Sequence, residues 1–338
     1  FNELHLSQFD LVCERGSFGF ISTSVIFLGF FIGSICVSTI SDKFGRKHPL
    51  FVCGFICAIF NFASVFAPAF WVFAVFRCII GFMQGAFTIP VFVLATELSG
   101  VRHRSTGGAL IWLGFSAAVM SLAGLAYLIR DWKQLTMVSG APGILFVACW
   151  FFTPESIRWY LKKGRVSDAM NVLRKVAKVN GKKMPDATLK LPNDEKKERL
   201  GDFRDLFSSV KMAHKTLLSW LMWFTASLIS WGTSFHAPFL GGNIYVNVVI
   251  SSLTVVPAYP IMAGLTLKIG RRMMILISFL MAAVGAIGAL ALSDKAEDDK
   301  AYMLGKIFMY MFVANLGGDI AFAVVYIYSA ELFPTTVR

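Results

Sequence analysis

Apolar residues in this chain are collected into long blocks that short polar segments separate. A transmembrane α-helix needs roughly 20 apolar residues in a row, and each block has about that length. The pattern therefore predicts nine membrane-spanning helices. Their approximate ranges are Phe18 to Ile40, Pro49 to Phe66, Phe70 to Ala95, Gly108 to Leu128, Met137 to Phe152, Leu217 to Phe235, Ile244 to Leu267, Met273 to Leu292 and Tyr302 to Tyr328.

The composition agrees with a location in lipid. Of the 338 residues, 56% are hydrophobic and 15% are charged, and the mean hydropathy is +0.65. Soluble domains carry about 25% charged residues, so this chain is far more apolar than they are. We predict an all-α membrane protein.

Lys and Arg residues are divided unequally between the two ends of the predicted helices. If residues 1–16 are extracellular, strict alternation places 25 of the 32 Lys and Arg residues on the cytoplasmic side and five outside. Cytoplasmic connections carry an excess of basic residues, so this orientation is favoured. The net charge of +12 therefore indicates topology and contact with acidic inner-leaflet lipids rather than nucleic-acid binding.

Two short motifs occur twice, six predicted helices apart. The connection after the first helix reads DKFGRK at 42–47, and the connection after the seventh reads LKIGRR at 267–272. Glu97 stands seven residues before Arg104, and Glu331 stands seven residues before Arg338. Helical transporters are commonly built from such repeats, so the pattern predicts two six-helix halves.

The first of these turns resembles the signature loop of the major facilitator superfamily, G-x-x-x-D-x-x-G-R-K/R. The residues that fit it are Asp42, Gly45, Arg46 and Lys47. Ser38 stands where the family has Gly, and the third helix carries the R-x-x-x-G-x-x-x-G pattern of the family's fourth helix, beginning at Arg77. The resemblance implies the superfamily fold, two pseudo-symmetric six-helix halves, of which this chain would cover helices 2 to 10.

Further strings distinguish between branches of the superfamily. The string PESIRW at 154–159 resembles a motif shared by sugar porters and organic ion transporters. The strings SQFDLVC at 7–13, WFT at 223–225 and ELFPT at 331–335 resemble the organic ion transporters. The chain thus most resembles the organic cation, anion and zwitterion branch. This resemblance implies transport of small organic ions, most simply cations or zwitterions, across the plasma membrane by alternating access.

Four segments follow from this interpretation. Residues 1–17 would be the end of an extracellular loop, and residues 18–152 would be the N-terminal half with helices 2 to 6. Residues 153–216 would form a cytoplasmic loop. Residues 217–338 would be the C-terminal half with helices 7 to 10.

Charged residues and glycines are concentrated at the predicted cytoplasmic helix ends. In the superfamily such residues close the inner gate, so the resemblance implies a conformational latch. The simpler interpretation is that they set topology and solvate helix ends. The predicted latch residues are Asp42, Gly45, Arg46, Lys47, Glu97, Arg104, Glu155, Arg158, Gly270, Arg271, Arg272, Glu331 and Arg338.

Organic cations bind cavities that have aromatic walls and a carboxylate, because cation–π contact and charge both favour a desolvated ammonium. The candidate substrate-binding residues are Phe92, Thr96, Trp223, Phe224, Trp231 and Asp319. Each aromatic side chain has the alternative of packing against lipid or a neighbouring helix. Asp319 has the alternative of pairing with a basic residue on another helix. Arg77 is a second charge inside a predicted span, with either a structural role or a role in substrate or proton handling.

The sequence contains no P-loop, no zinc-ligand spacing and no G-x-S-x-G elbow, so we expect no enzyme activity, no cofactor and no metal site. The expected partners are a small organic ion and the lipid bilayer, and the oligomeric state is open. The alternatives are an organic anion transporter, a transporter-like protein without transport activity, a sugar porter, and a membrane receptor or channel. Ser38, Val255 and Leu267 depart from the family pattern and favour the nontransporting alternative.

Overall fold

The computed structural model describes residues 18–99, 104–181, 206–296 and 299–332, and the regular structure within these ranges is entirely helical. A π-helix, Met309–Asn315, joins the last two α-helices. The α-helices are α1 Phe18–Phe44, α2 Lys47–Ser64, α3 Phe70–Leu98, α4 Arg104–Leu128, α5 Trp132–Ala148, α6 Ile157–Lys162, α7 Val166–Val179, α8 Val210–His236, α9 Ile244–Leu253, α10 Val255–Ile269, α11 Arg271–Ala291, α12 Lys300–Phe308 and α13 Leu316–Leu332.

Eight helical segments in the described ranges are long and apolar enough to cross a membrane. Each overlaps one of the predicted blocks. The remaining block, Leu217 to Phe235, is also helical and lies within α8. Its Ser, Thr and Trp residues make it less apolar than the other eight. Short helices α6 and α7 lie in the predicted cytoplasmic loop, and residues 182–205 of that loop fall outside the described ranges.

Two predicted blocks are interrupted within their length, and a third, Met137 to Phe152, ends in a 3-10 helix, Cys149–Phe151. The block from Ile244 to Leu267 is interrupted at Thr254, between α9 and α10. Pro257 in the first turn of α10 has no N–H to donate to the carbonyl of Leu253, which explains the break. The last block, Tyr302 to Tyr328, contains the π-helix.

The chain divides into two compact units, Phe1–Ile111 with Leu128–Asp194, and Trp112–Tyr127 with Glu195–Arg338. In the first unit, α1 and α3 pack with their backbones nearly touching. A Cβ atom at Gly29 or Gly33 of α1 would lie 2.2 or 2.0 Å from a backbone oxygen of α3. A Cβ atom at Gly81 or Gly85 of α3 would lie 2.1 Å from a backbone oxygen of α1. Small residues at such spacing permit close packing where lipid supplies no hydrophobic driving force.

The first unit also contains an aromatic contact between α2 and α5. The rings of Phe51 and Phe146 stack with their centroids 4.7 Å apart, and the ring of Trp150 lies edge-on to Phe51 at 5.3 Å. Offset and edge-to-face arrangements are the favoured geometries for aromatic pairs. This cluster holds the start of α2 against the end of α5 and the residues that follow it.

The second unit is built on a core from α8, α10, α11 and α13. Its buried members are Ala226, Ala258, Met262, Met274, Ile275, Ile320, Ala323, Val324 and Val325. The π-helix packs against α11 at Gly285, where a Cβ atom would lie 2.3 Å from the backbone nitrogen of Ala314. The π-helix is therefore fixed at close range by its neighbour.

Candidate functional site

The two copies of the repeated turn have the same backbone feature. Gly45, between α1 and α2, has φ 98°, and Gly270, between α10 and α11, has φ 79°. A left-handed backbone of this kind is strained for residues other than glycine. The residue four positions before each glycine, Ser41 or Thr266, is buried. In each turn the chain reverses at a glycine. The helix after the first turn begins at Lys47, one residue beyond the arginine, and the helix after the second turn begins at the arginine itself, Arg271.

In the first unit, a buried carboxylate caps the helix that follows this turn. Glu155 is 5% exposed and accepts hydrogen bonds from the backbone N–H groups of Arg46 at 2.9 Å, Lys47 at 3.1 Å and Ser156 at 2.8 Å. The first N–H groups of a helix have no partner within the helix and carry partial positive charge. The PESIRW string thus supplies the cap for α2.

Arg46 extends this arrangement to α1 and α3. Its Nη1 atom lies 2.7 Å from Asp42 Oδ1 and donates to the carbonyl of Ser41 at 2.7 Å, and its Nε atom lies 3.9 Å from Glu97 Oε2. Glu97 accepts a hydrogen bond from the hydroxyl of Ser156. We call the set Asp42, Arg46, Glu97, Glu155 and Ser156 the turn network.

Two further contacts tie aromatic side chains to the turn network. Trp159 donates from Nε1 to the carbonyl of Asp42 at 3.1 Å, and the Lys47 ammonium lies 4.8 Å from the ring centroid of Trp150. Burial and the nearby Glu155 carboxylate raise the pKa of the Tyr160 phenol, which therefore stays protonated at neutral pH.

The other predicted latch residues are placed differently. Arg158 is exposed, and Arg271 is half-buried. Arg272 donates from Nε to the hydroxyl of Tyr328 at 3.3 Å. Arg104 and Glu331 lie on helices, but the structure does not describe their side chains. Arg338 lies outside the described residues. A latch role for all of these residues stays a prediction.

The second unit contains a cavity of about 230 Å³ between α4, α8, α9, α10, the π-helix and α13. We refer to it as the central cavity. Six of its wall residues are aromatic, namely Trp112, Phe115, Trp231, Phe235, Tyr259 and Phe322. Its polar wall residues are Ser116, Ser230, Ser234, Ser251, Ser252, Asn315 and Asp319. Among the described residues that line it, Asp319 is the single charged residue.

The carboxylate of Asp319 is held by a hydrogen-bond chain that continues below the cavity wall. Thr254 lies 2.8 Å from it, measured from Oγ1 to Asp319 Oδ2. The Asn315 amide donates to Thr254 Oγ1 at 2.7 Å and to the Ser251 carbonyl at 2.9 Å. Thr233 in turn donates to Asn315 Oδ1 at 2.7 Å. Asn315 is buried, and both its side-chain oxygen and its side-chain nitrogen have hydrogen-bond partners.

The structure brings two of the predicted substrate-binding residues to this cavity, Trp231 and Asp319. Trp223 lies behind the wall, where its Nε1 donates to the Ser329 hydroxyl at 2.9 Å. Phe224 is 66% exposed and does not line the cavity.

The remaining predicted residues lie in the first unit. Phe92 and Thr96 are half-buried on α3, and the Thr96 hydroxyl donates to the carbonyl of Val93 at 2.9 Å. Arg77, also on α3, places its guanidinium 5.0 Å from the ring centroid of Phe73. This cation–π contact gives the charge a partner within its own helix.

A family model described as "Sugar (and other) transporter" matches residues 17–338 of the chain. The chain belongs to this transporter family. Among curated relatives, it is 34% identical over 342 residues to organic cation/carnitine transporter 2 from Homo sapiens and 32% identical over 344 residues to organic cation/carnitine transporter 4 from Arabidopsis thaliana. The predicted resemblance to organic ion transporters is thereby confirmed. Both alignments cover 98% of this chain but only 59% and 64% of the relatives' lengths.

Solved structures of transporters share the fold. The proton:xylose symporter XylE bound to 6-bromo-6-deoxy-D-glucose matches with a TM-score of 0.71 at 16% identity, covering 100% of this chain and 78% of that chain. XylE from E. coli in a partially occluded inward open conformation matches with a TM-score of 0.68 at 15% identity, covering 94% and 80%. The predicted fold class, an all-α multi-pass membrane protein with the major facilitator superfamily fold, is confirmed. The family is one of transporters rather than enzymes, as expected.

Most residues of the cavity wall were not among the predicted substrate-binding residues. The wall residues of α4 are Trp112, Phe115, Ser116 and Val119. Their i, i+3, i+4, i+7 spacing places them on one helix face, which is a signal that the sequence contains. A second available signal was Asn315, an amide within an apolar span that must find partners when it is buried.

Proposed function

We propose that the full-length protein transports small organic cations or zwitterions across the plasma membrane by alternating access. The observation that carries this proposal is Asp319, the one carboxylate among described wall residues that are otherwise aromatic, aliphatic or uncharged and polar. An organic cation desolvated in such a cavity gains from ring faces and from the opposite charge. The names of the relatives, organic cation/carnitine transporters, support the same substrate class.

The geometry of the aromatic wall supports this assignment further. The ring of Trp112 stands edge-on to Phe322 at a centroid distance of 5.5 Å, and Trp231 and Phe235 stack at 6.0 Å. Rings that pack against one another are held in fixed orientations. A cation in the central cavity would meet walls that need little rearrangement.

We also propose that the turn network is part of the cytoplasmic gate. Its charges lie at the predicted cytoplasmic ends of α1 and α3, and Glu155 joins them to the start of the predicted loop 153–216. In this proposal, residues 18–152 and 217–338 belong to two halves that move relative to each other. The other predicted latch residues would contribute from their own helix ends.

Uptake by cells that express the full-length protein tests the proposed function. We expect saturable uptake of labelled tetraethylammonium and little uptake of labelled p-aminohippurate, an organic anion. Asp319→Asn should reduce tetraethylammonium uptake about tenfold, because it removes the negative charge in the described cavity wall that attracts the cation. The matched control is Asp294→Asn, an exposed carboxylate outside the cavity, which should leave uptake unchanged.

The alternatives give different results in the same assay. Saturable uptake of p-aminohippurate alone would assign the protein to organic anions. Saturable uptake of neither probe, with the protein present at the cell surface, would support a transporter-like protein without transport activity. Equal effects of Asp319→Asn and Asp294→Asn would remove Asp319 from the binding site.

A further inference from the structure

Four serine hydroxyls in the wall of the central cavity already donate their protons to backbone carbonyls. Ser234 and Ser252 each donate to the carbonyl four residues earlier in their own helices, at 2.8 and 2.9 Å. Ser230 donates to the carbonyl of Gly318 at 3.2 Å, and Ser116 donates to the carbonyl of Ser252. A hydroxyl carries one proton and two lone pairs, so these groups offer a ligand acceptor sites rather than donors.

The amide of Asn315 is also occupied by bonds within the protein. Its nitrogen donates to the Ser251 carbonyl at 2.9 Å and to Thr254 Oγ1 at 2.7 Å. An amide nitrogen has two N–H donors, and both are used by these two bonds. The donors of the wall that can serve a ligand are therefore mainly aromatic, on residues such as Trp112 and Tyr259. They suit an acceptor group at another point of the ligand.

Asp319 adds a charged acceptor to the serine oxygens. Its Oδ2 atom lies 2.8 Å from Thr254 Oγ1, and its Oδ1 atom has no hydrogen-bond partner among the residues that the structure describes. An N–H group of a cation donates to a carboxylate in a charge-assisted bond, which is about twice as strong as a bond between neutral groups. A quaternary ammonium ion has no N–H group and meets the carboxylate through its charge alone.

Aromatic walls by themselves favour the opposite class of ligand. Quaternary ammonium ions bind well in aromatic cages, where they contact ring faces. An N–H group that is buried in such a cage without an acceptor loses its hydrogen bond to water, which is costly. In the central cavity the serine oxygens and Asp319 supply the acceptors that remove this cost.

We propose that the central cavity selects organic cations that carry N–H groups, namely protonated amines and guanidinium groups, over quaternary ammonium ions. In this assignment one N–H donates to Asp319 Oδ1, and further N–H groups donate to the oxygens of the wall serines. The aromatic rings contact the hydrocarbon part of the ligand. The inference rests on the proposed function and narrows its substrate class.

Inhibition of labelled tetraethylammonium uptake by cells that express the full-length protein tests this selectivity. The inhibitors are phenethylammonium and its N-methyl, N,N-dimethyl and N,N,N-trimethyl derivatives, which share one ring and one charge and differ in their N–H groups. All are cations at pH 7, because alkylamines titrate near about pH 10. We expect the inhibition constant to rise about tenfold from the dimethyl to the trimethyl compound, where the last N–H group is lost.

Ser234→Ala and Ser252→Ala test the serine acceptors separately from the carboxylate. Each change removes a hydroxyl that donates only within its own helix, so the fold should persist. The ratio of the inhibition constants of the trimethyl and N-methyl compounds should fall about threefold in each variant. Ser121→Ala is the matched control, because its hydroxyl makes the same bond, to the Ala117 carbonyl at 2.8 Å, but does not line the cavity. Its ratio should equal that of the wild type.

The results that would overturn this selectivity differ from those that would overturn the proposed function. Saturable tetraethylammonium uptake that all four compounds inhibit equally, or that the trimethyl compound inhibits most strongly, would overturn the selectivity and leave the proposed function intact. Ratios that stay at the wild-type value in both serine variants would overturn the part assigned to the serine oxygens. Absence of saturable tetraethylammonium uptake, with the protein present at the cell surface, would overturn both proposals.

Discussion

The carboxylate of Glu155 occupies the space into which a side chain at Gly45 would extend. A Cβ atom built at Gly45 would lie 2.3 Å from Glu155 Oε2. The carboxylate is held in this position by three backbone N–H groups, and the glycine is additionally required by its positive φ. The turn and its cap therefore depend on each other.

Gly45→Ala should destabilise the protein more than the same change at Gly270. Both positions have positive φ, which costs about 1 kcal/mol for alanine. At Gly45 the new methyl group must also displace Glu155 from its hydrogen bonds, for a further cost of about 2 kcal/mol. At Gly270 nothing described lies within 4 Å of the added atom. Thermal melts of the two purified variants should show the larger loss for Gly45→Ala, and equal losses would contradict the steric argument.

Glu155→Ala should lower thermal stability much more than Arg158→Ala. Removal of the carboxylate leaves half-buried N–H groups at the start of α2 without their acceptor, and an unsatisfied buried donor costs about 1–3 kcal/mol. Arg158 lies three residues away in the same motif, but its side chain is exposed. If Arg158 takes part in gating, Arg158→Ala should change transport rate while the melting temperature stays at the wild-type value. A similar melting temperature for both variants would show that the cap contributes little.

Gly81→Ala should destabilise the contact between α1 and α3. The added methyl group would meet the carbonyl oxygen of Ile26 at 2.1 Å, and a backbone group cannot turn away as a side chain can. The helices must separate, and we expect a loss of about 2 kcal/mol or more. The control is Gly114→Ala on α4, where the added atom meets nothing within 4 Å. That change should be neutral or slightly stabilising, since alanine favours helix.

Trp231→Leu should weaken binding of tetraethylammonium, whereas Phe224→Leu should not. Trp231 lines the central cavity, and Phe224 on the same helix does not. Loss of one cation–π contact of about 0.5–2 kcal/mol corresponds to a rise in KM of about 2- to 30-fold. Concentration-dependent uptake measures this rise. A larger effect of Phe224→Leu would move the binding site away from the central cavity.

The helices and the turn could be predicted because their signals are local. Nine apolar blocks match the thickness of a bilayer, and the glycine-arginine turn occurs twice. Asp319 stood out because a carboxylate in an apolar span is rare.

The residues that line the cavity could not be predicted, because a wall residue must have the right position along the helix axis as well as lie on the right helix face. Phe224 and Trp231 are seven residues apart and share a face of α8, yet they lie about 10 Å apart along its axis. Only Trp231 reaches the cavity. The partnership of Thr254 with Asp319 joins residues 65 positions apart, and sequence spacing carries no information about such a contact.

Residues 309–315 form a π-helix, which has more residues per turn than an α-helix, so the membrane span that contains them does not keep one constant helical period. Hydrogen bonds from i to i+5 accommodate more residues in a turn than an α-helix does, so side chains beyond Asn315 point in directions that a regular 3.6-residue projection from Lys300 does not give. Cysteine-accessibility scanning along this span should therefore show two separate periodic series with a jump between them. A helical wheel drawn with 3.6 residues per turn through the whole segment would therefore give Asp319 a direction different from the one that it has in the structure.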